Sequence, residues 1–327
     1  MSRPLRWGLL GTAHINRRLI PALRSARRSS LAAVASRDQS RADAYAREWN
    51  IPVAHGSYDA LLHDHGVDAV YVPLPNALHV EWTLRALDAG KHVLCEKPLA
   101  LAADDVERIE AVARAGTRIV AEAFMYRHEP LIGRVVQLVG DGEVGTITHM
   151  SAGFTYLQRR SPDVRLDASL GGGSLWDIGC YCVNAVRLVA GAEPSVASGL
   201  ATLNGSGVDE QFTGLLQFAS GAIATVHSSF RAPYRTWLEL TGSRGVLTVD
   251  SPFKPAAAET ITIRRGDEIH HATVEGSPLL FVRQIDDFVA AALDGRQPAV
   301  SLADSRGNAA ALAALHTSAR SGCAVTI

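Results

Sequence analysis

The sequence predicts an α/β protein in two parts, a doubly wound parallel sheet followed by an open, mostly antiparallel sheet with helices. Up to about residue 121, short apolar runs alternate with amphipathic segments of helical length. This βαβα order is typical of a parallel sheet covered by helices on both faces. Beyond Glu122, successive strand-like runs are joined by short turns, which favours antiparallel pairing. We therefore predict one domain over residues 1–122 and a second, α+β domain over residues 123–327.

In the first domain, each strand is expected where a short apolar run stands between two amphipathic segments. The predicted strands are 6–10, 31–36, 69–72, 92–95 and 118–121, and the main helices are 38–49, 77–89 and 103–115. Because parallel strands end at one edge of a sheet, ligand-binding groups are expected after these strands.

The second domain is expected to start with a helix, a strand and a second helix before the run of antiparallel strands. The first three elements are predicted at 130–139, 146–156 and 174–190. The later strands are predicted at 195–203, 210–218, 222–228, 237–241, 245–249, 261–265 and 269–274, with closing helices at 281–293 and 302–320.

Composition excludes several classes of function. The chain has 327 residues and a formal net charge of −1, so it offers no strongly basic surface for nucleic acid. No apolar run reaches the length that crosses a membrane, and an early first strand leaves no room for a signal peptide. The four scattered cysteines suit neither a disulfide framework nor a metal site. We therefore expect a reduced cytoplasmic protein without a bound metal.

The segment after the first strand resembles a turn that binds a dinucleotide. Such turns use small residues so that backbone N–H groups and a helix N-terminus can approach the pyrophosphate. Gly11 fits the pattern, whereas Ala13 and Asn16 stand where the second and third glycines are usual. The strand before and the helix after the turn support this interpretation. An ordinary strand-to-helix turn is the alternative.

The end of the second strand bears on the choice of cofactor. A site for NAD usually places an acidic side chain there to bind the ribose hydroxyls. Ser36 and Arg37 instead offer a hydroxyl and a guanidinium, which suit a 2′-phosphate and favour NADP(H). Asp38 follows directly, so NAD(H) remains an alternative.

Two further strand ends carry candidate groups. Leu74 and Asn76 lie in a stiff loop with two prolines, where Asn76 either caps the next helix or contacts the cofactor ribose. His79 begins that helix and is either a ligand contact or a structural histidine. Lys97 follows the strand at 92–95 and is either a solvated loop residue or a group of the ligand-binding edge.

A glycine-rich segment in the second domain is the other candidate for chemistry. Three glycines at 171–173 allow a close approach to a ligand or to another part of the backbone, and Ser174 is a predicted N-cap. Asp177 and Tyr181 are four residues apart, so a helix presents both on one face. They form either a surface stripe or one wall of a cleft.

Taken together, these motifs resemble the glucose–fructose oxidoreductase and inositol dehydrogenase superfamily, called Gfo/Idh/MocA. The chain is most similar to its dihydrodiol dehydrogenases, D-xylose dehydrogenases and related sugar ketoreductases. The matching segments are GTAHIN at 11–16, VASR at 34–37, YVPLPNALHVEW at 71–82, HVLCEKPL at 92–99, EAFMYR at 122–127, RLD at 165–167 and GGGSLWDIGCY at 171–181. The resemblance implies a dinucleotide-binding Rossmann domain, then a domain for substrate binding and oligomerisation. It also implies a cis bond between Lys97 and Pro98 and a homo-oligomer, dimer or tetramer, formed through the C-terminal sheet.

The resemblance further implies roles for individual residues. Lys97, Tyr181 and Asp177 fall on catalytic positions. The cofactor positions are Gly11, Ala13, His14, Ile15, Ser36, Arg37, Leu74, Asn76, His79, Glu96, Lys97 and Arg165. We expect Tyr181 to act as general base, with its pKa lowered by the ammonium of Lys97, and Asp177 to orient the reacting groups.

The predicted activity is hydride transfer between a nicotinamide cofactor and a secondary hydroxyl or ketone of a sugar or cyclic diol. A biosynthetic reductase of a nucleotide-linked or aminoglycoside sugar is an alternative within the same class. A regulator that binds dinucleotide without catalysis, and a nicotinamide-dependent glycosidase, are alternatives from other classes. The substrate is expected to be selected by the loops at 158–167 and 231–236.

Overall fold

The computed structural model describes residues 3–160 and 162–327. Residues 1 and 2, at the start of the first predicted domain, and residue 161, within the predicted substrate loop, lie outside the described residues. The chain divides into two compact units. The first contains the residues up to Ala100 with Asp104–Arg127 and Leu279–Arg306, and the second contains Leu101–Ala103, His128–Pro278 and Gly307–Ile327.

The first unit is built on a parallel sheet, which confirms the predicted fold class. The strand order is β3-β2-β1-β4-β5-β6, and each neighbouring pair is parallel. The strands are β1 (Leu5–Leu10), β2 (Ser29–Ala35), β3 (Val53–His55), β4 (Ala69–Val72), β5 (His92–Cys95) and β6 (Val120–Glu122). β3 was not predicted, because three half-exposed residues give no apolar run.

Helices connect these strands and cover the sheet. They are α1 (Asn16–Ser25), α2 (Gln39–Trp49), α3 (Tyr58–Leu62), α4 (His79–Asp88) and α5 (Ala103–Gly116). Asp38 caps α2, since its side chain accepts a hydrogen bond from the backbone N–H of Arg41 at 2.8 Å. The order of strands reverses between β2-β1 and β4-β5, so the carboxyl ends of β1 and β4 border the crevice where such sheets bind ligands.

The second unit is built on a mostly antiparallel sheet, as predicted. Its strand order is β14-β13-β12-β11-β7-β10-β9-β8-β15, and the pair of β7 and β10 is parallel. The strands are β7 (Ile147–Thr155), β8 (Pro194–Leu203), β9 (Asp209–Phe218), β10 (Ile223–Ser229), β11 (Arg235–Gly242), β12 (Val246–Val249), β13 (Ala258–Arg265), β14 (Glu268–Glu275) and β15 (Val325–Thr326).

Helices lie against one face of this sheet. They are α6 (Pro130–Gly140) and α7 (Cys180–Ala190), and a π-helical turn over Leu175–Gly179 leads into α7. α7 is almost wholly buried and contacts β7 and β10. Along β9, buried and exposed residues alternate, so the other face of the sheet is open on this strand.

The last two helices are α8 (Val282–Asp294) and α9 (Leu302–Ser321). α8 belongs to the first unit, where the ring of Phe288 lies 4.9 Å from the ring of fully buried Trp7 on β1. The periodicity of the sequence did not indicate that the chain returns to the first unit after the second sheet. Within residues 3–160 and 162–327, no helix combines the length and the hydropathy that a bilayer span needs.

Candidate active site

The turn after β1 has the backbone shape that a dinucleotide site needs. Gly11 has a φ of +113°, a value that side-chain-bearing residues rarely adopt, and its N–H donates to the carbonyl of Ala35 at 3.0 Å. Among the described residues, no acceptor lies within hydrogen-bond reach of the N–H groups of Thr12, Ala13 and His14. These groups precede α1, so they can donate to a bound phosphate.

Asn16 supports this turn at the position of the usual third glycine. Its side chain is fully buried, and its amide nitrogen donates to the carbonyl of Gly11 at 2.9 Å. The departure from the glycine pattern therefore adds a hydrogen bond inside the turn. The structure places Ile15 at the start of α1, directly before Asn16.

Positive charge gathers near the same turn. The guanidinium of Arg41 donates through Nε to the hydroxyl of Thr12 at 2.8 Å. Tyr58 is half-buried, and burial raises the pKa of its phenol, while the charges of Arg37 and Arg41 act in the opposite direction. A Cβ on Gly11 would lie 3.5 Å from the hydroxyl of Tyr58. Two arginines and a phenol thus border the turn, a set of donors that suits a phosphate.

Sequence reasoning identified Arg37 but missed Arg41 and Tyr58. Arg41 could have been found from helix geometry, since it follows the N-cap Asp38 by three residues and lies on the first turn of α2. Tyr58 begins the short helix α3, whose first-turn N–H is capped by Ser57, and nothing in the sequence ties it to Gly11. Ser36 is buried, and its N–H donates to the carbonyl of His55 at 3.0 Å.

His79 joins the ends of two strands. Its ring nitrogens each lie 2.7 Å from a carbonyl oxygen, one of Leu74 after β4 and one of Pro98 after β5. Burial lowers the pKa of His79, and the nearby charge of Lys97 lowers it further. The ring is fully buried, so His79 has a structural place in the loops that carry Leu74 and Lys97.

The other groups of this edge lie on the same loops. Asn76 begins a short 3-10 turn (Asn76–Leu78), and Leu78 holds the N-cap position of α4. Glu96 accepts a hydrogen bond from the hydroxyl of Tyr71. The bond between Lys97 and Pro98 is cis, which confirms what the resemblance implied.

In the second unit, Asp177 is held by two donors. The hydroxyl of Tyr156 and the Nε of Arg165 each donate to Oδ2 of Asp177 at 2.9 Å. The carboxylate of Asp177 raises the pKa of Arg165 above its usual value, and Asp163 lies 3.2 Å from the same guanidinium. Both donors stabilise the ionised form of Asp177. The structure thus joins two predicted site residues, Asp177 and Arg165, directly, and Tyr156 is a second donor to the same carboxylate.

Tyr181 lies on the first turn of α7 in an aromatic cluster. Its ring is 5.7 Å from that of Phe154 and 5.6 Å from that of Phe253, and the residue is 5% exposed. Phe154 and Phe230 are buried and belong to the core of the second unit. Phe154, near the end of β7, contacts Tyr181, and Tyr156, directly after β7, contacts Asp177. The same end of the strand therefore contacts both predicted catalytic residues.

The three glycines approach other parts of the chain. A Cβ on Gly172 would collide with the carbonyl of Arg165, and one on Gly173 would collide with the carboxylate of Asp209. Ser174 holds the N-cap position of the π-helical turn, as predicted, but its side chain makes no cap bond, and its hydroxyl donates to Asp209 at 2.7 Å instead. Sequence reasoning missed Asp209, the first residue of β9. Within the described part of the chain, no three metal-ligating side chains form a cluster.

Comparison with known proteins agrees with this geometry. A family model described as an oxidoreductase family with an NAD-binding Rossmann fold matches residues 5–124. A model of the GFO/IDH/MocA C-terminal domain matches residues 132–248. The chain belongs to this family.

Individual relatives match along most of their length. A D-xylose 1-dehydrogenase (NADP(+)) of Haloferax volcanii is 37% identical over 98% of this chain and 99% of its own. A trans-1,2-dihydrobenzene-1,2-diol dehydrogenase of Xenopus tropicalis is 31% identical over 82% of each chain. A 3-ketoreductase of Actinomadura kijaniata, solved with NADP and TDP-benzene, is 34% identical with a TM-score of 0.92, covering 97% of this chain and 98% of its own.

Proposed function

We propose that this protein transfers a hydride between NADP(H) and a secondary hydroxyl or ketone of a sugar or a cyclic diol. It is an oxidoreductase of the family named above. The observation that carries the proposal is the turn at Gly11, with its available backbone N–H groups and the neighbouring side chains of Arg37, Arg41 and Tyr58. These donors fit the phosphates of NADP(H), including the 2′-phosphate.

The remaining predicted cofactor residues lie on the loops at the same edge of the first sheet. Ala13, His14 and Ile15 belong to the Gly11 turn, and Ser36 ends β2. Leu74 and Asn76 follow β4, and Glu96 and Lys97 follow β5. We propose that these loops bind the cofactor and that His79 holds two of them together through the carbonyls of Leu74 and Pro98.

The bound nicotinamide supplies the hydride acceptor or donor. This chain's residues handle the proton: Tyr181 takes it from the substrate hydroxyl in oxidation and returns it in reduction. A phenol ordinarily titrates near pH 10, so it needs a nearby positive charge to act as a base at neutral pH. We assign that charge to Lys97, whose ammonium also donates a hydrogen bond to the substrate oxygen.

Asp177 is proposed as an orienting group. Tyr156 and Arg165 hold its carboxylate in one direction. A fixed anion on the turn before α7 can accept a hydrogen bond from a substrate hydroxyl. Arg165 is 42% exposed on its side chain, so part of it is accessible to substrate or cofactor.

Two variants test the proton-handling groups. Tyr181→Phe and Lys97→Met should each lower kcat by about 10²–10⁴-fold, the usual contribution of a general acid or base, with the Kd for NADP(H) little changed. Tyr45→Phe, a half-buried tyrosine on α2, is the matched control and should keep its kcat. A kcat near that of the wild type for Tyr181→Phe would refute this assignment.

Cofactor choice has its own test. Arg41→Ala removes a charge beside Thr12 and should raise the KM for NADP+ by about tenfold or more, because hydrogen bonds between charged groups are strong. The KM for NAD+, which lacks the 2′-phosphate, should change little. Equal changes for both cofactors would place Arg41 elsewhere than at the 2′-phosphate.

A second candidate substrate class is the nucleotide-linked keto sugar. It is favoured by the similarity to the Actinomadura kijaniata 3-ketoreductase, which was solved with TDP-benzene. A panel of free sugars, cyclic diols and nucleotide-linked sugars, assayed with NADP+ and NADPH, separates the two classes. Turnover of free sugars or diols alone would support the first class.

We also propose that the protein forms a homo-oligomer in the cytoplasm. Support for the oligomer comes from the open sheet face, where Leu200, Leu215 and Ile223 are exposed on adjacent strands β8, β9 and β10. A second copy of this chain is the proposed occupant. Sedimentation of the wild type and of Leu215→Glu tests this, since a charge on that face should dissociate the assembly.

For the location, the absence of a disulfide among the four cysteines of the described chain fits a reducing compartment.

A further inference from the structure

Asp209 is a buried carboxylate with two hydrogen bonds to the segment that leads into α7. It is 6% exposed at the start of β9. Its Oδ2 accepts from the backbone N–H of Leu175 at 2.8 Å and from the hydroxyl of Ser174 at 2.7 Å. The hydroxyl of Ser174 also lies 3.0 Å from that of Ser228 on the neighbouring strand β10. Two strands of the sheet therefore hold the first residues of this helical segment.

The segment held in this way carries the two groups to which chemistry was assigned. Asp177 is two residues beyond Leu175, and Tyr181 is four residues further on. Asp177 lies within the π-helical turn Leu175–Gly179, a geometry that is rare and that often marks functional sites, and Tyr181 follows this turn on α7. The wider turn is less regular than an α-helix, so a contact from outside helps to set the direction in which it points its side chains.

The glycine turn is shaped around the same carboxylate. Gly173 has a φ of +130°, and a Cβ at this position would collide with Oδ1 of Asp209. The backbone and the carboxylate therefore approach each other as closely as a glycine allows. An anion at the start of a helix is also favoured by the helix dipole. Burial opposes this charge and raises the pKa of Asp209 to about 6, so the site holds a carboxylate where a neutral side chain would be less costly.

We propose that Asp209 is a positioning residue for the reaction, which sets the direction of Asp177 and Tyr181 by fixing the turn from Gly173 to Leu175. The inference rests on the proposed function, because it needs Asp177 and Tyr181 to be catalytic. Asp209 touches neither of the reacting groups in this scheme. It acts through the backbone N–H of Leu175 and the hydroxyl of Ser174.

The central experiment compares Asp209→Ala with Asp209→Asn. The alanine variant loses both hydrogen bonds and should show a kcat about 10–100-fold lower, the scale of a small misplacement of catalytic groups, with a KM for NADP+ within about twofold of the wild type. The asparagine variant keeps an oxygen that accepts from both donors, so its kcat should return to within about threefold. A folded alanine variant with a wild-type kcat, or an asparagine variant as slow as the alanine one, would overturn the proposal.

Two further variants separate positioning from general stability. Ser318→Ala removes a buried hydroxyl of α9 that accepts from the backbone N–H of Gly199 at 2.9 Å, so it should lower Tm while kcat stays unchanged. Ser174→Ala removes one of the two bonds to Asp209 and provides the measurement if Asp209→Ala does not fold. Its kcat should fall by about three- to tenfold, less than in Asp209→Ala, because the bond from the N–H of Leu175 to Asp209 remains. An unchanged kcat in Ser174→Ala would count against the proposal.

A double variant links the effect to Tyr181. If Asp209 acts in part by directing this phenol, Asp209→Ala should lower kcat by a clearly smaller factor in the Tyr181→Phe background than in the wild type, because coupled residues are not additive and only the effect through Asp177 remains. A full additional loss in that background would overturn the proposal. Tyr181→Phe by itself tests the proposed function, so a failure of the function and a failure of the role of Asp209 give different results.

Discussion

Two glycine-containing turns stand before helices in this chain, and they have opposite surroundings. After β1, the N–H groups of Thr12, Ala13 and His14 have no acceptor among the described residues. Before α7, the N–H of Leu175 is already bonded to the buried carboxylate of Asp209. The first turn is therefore able to bind a phosphate, whereas the second is occupied by the protein's own anion.

This difference shows that glycine before a helix does not by itself indicate an anion site. In both turns the glycines allow a close approach and positive φ angles, at Gly11 and at Gly173. What decides the role is the neighbour that each turn approaches. Arg41 and Tyr58 border the first turn, whereas the carboxylate of Asp209 at the start of β9 borders the second.

The largest expected effect comes from filling the space between Gly173 and Asp209. Gly173→Ala combines a strained φ of +130° with a collision at the carboxylate, so it should lower the free energy of unfolding by about 3 kcal/mol or more and abolish turnover. Gly191→Ala, at the other end of α7, has a φ of +60° and open space around it. This control should lose only about 1 kcal/mol. Urea titration measures both, and equal losses would contradict the close packing of the second turn.

The charge of Asp209 should appear in the pH dependence of stability. Burial raises its pKa to about 6, so the folded state favours the protonated form and stability is lost as the pH rises through about 6. Between pH 4.5 and 7.5 the free energy of unfolding should fall by about 2 kcal/mol more in the wild type than in Asp209→Asn. Parallel pH profiles for the two proteins would show that the carboxylate carries no such cost.

Changing the first turn should affect cofactor binding more than folding. In Gly11→Ala the new Cβ would lie 3.4 Å from Leu74 and 3.5 Å from Tyr58, which is ordinary contact, but the φ of +113° becomes strained. We expect the KM for NADP+ to rise by about tenfold through the displaced N–H groups. Gly90→Ala, with a φ of +73° before β5, should lose stability without this change. A similar KM for NADP+ in both variants would contradict a phosphate role for the turn.

The smallest expected effect concerns the support that Asn16 provides. Asn16→Ala removes the hydrogen bond to the carbonyl of Gly11 and should raise the KM for NADP+ by about fivefold, in line with about 1 kcal/mol for one such bond. Asn308→Ala, a buried asparagine of α9 near Arg187, serves as the control and should leave that KM unchanged. An unchanged KM in Asn16→Ala would mean that the turn keeps its shape without this amide.

Much of the fold could be predicted because it follows local rules. The strands β4 and β5 are continuous apolar runs bounded by polar or turn-forming residues, and α2 begins at a capping aspartate. β3 and α3 were missed because three and five residues are too short for a periodic signal. Ser36 and Lys97 were predicted as site residues from their positions at strand ends, because parallel strands present their carboxyl ends at one edge.

The sequence alone determined which chemical groups this protein offers and on which elements they lie. Glycine conformation, strand ends and helical spacing are properties of neighbouring residues, so Gly11, Lys97, Asp177 and Tyr181 are visible in the sequence. Only the tertiary structure decided which groups meet. Asp209 reaches Leu175 across 34 positions, Arg41 reaches Thr12 across 29, and Tyr156 reaches Asp177 across 21. Contacts over such distances depend on strand pairing and packing, which local propensity does not encode.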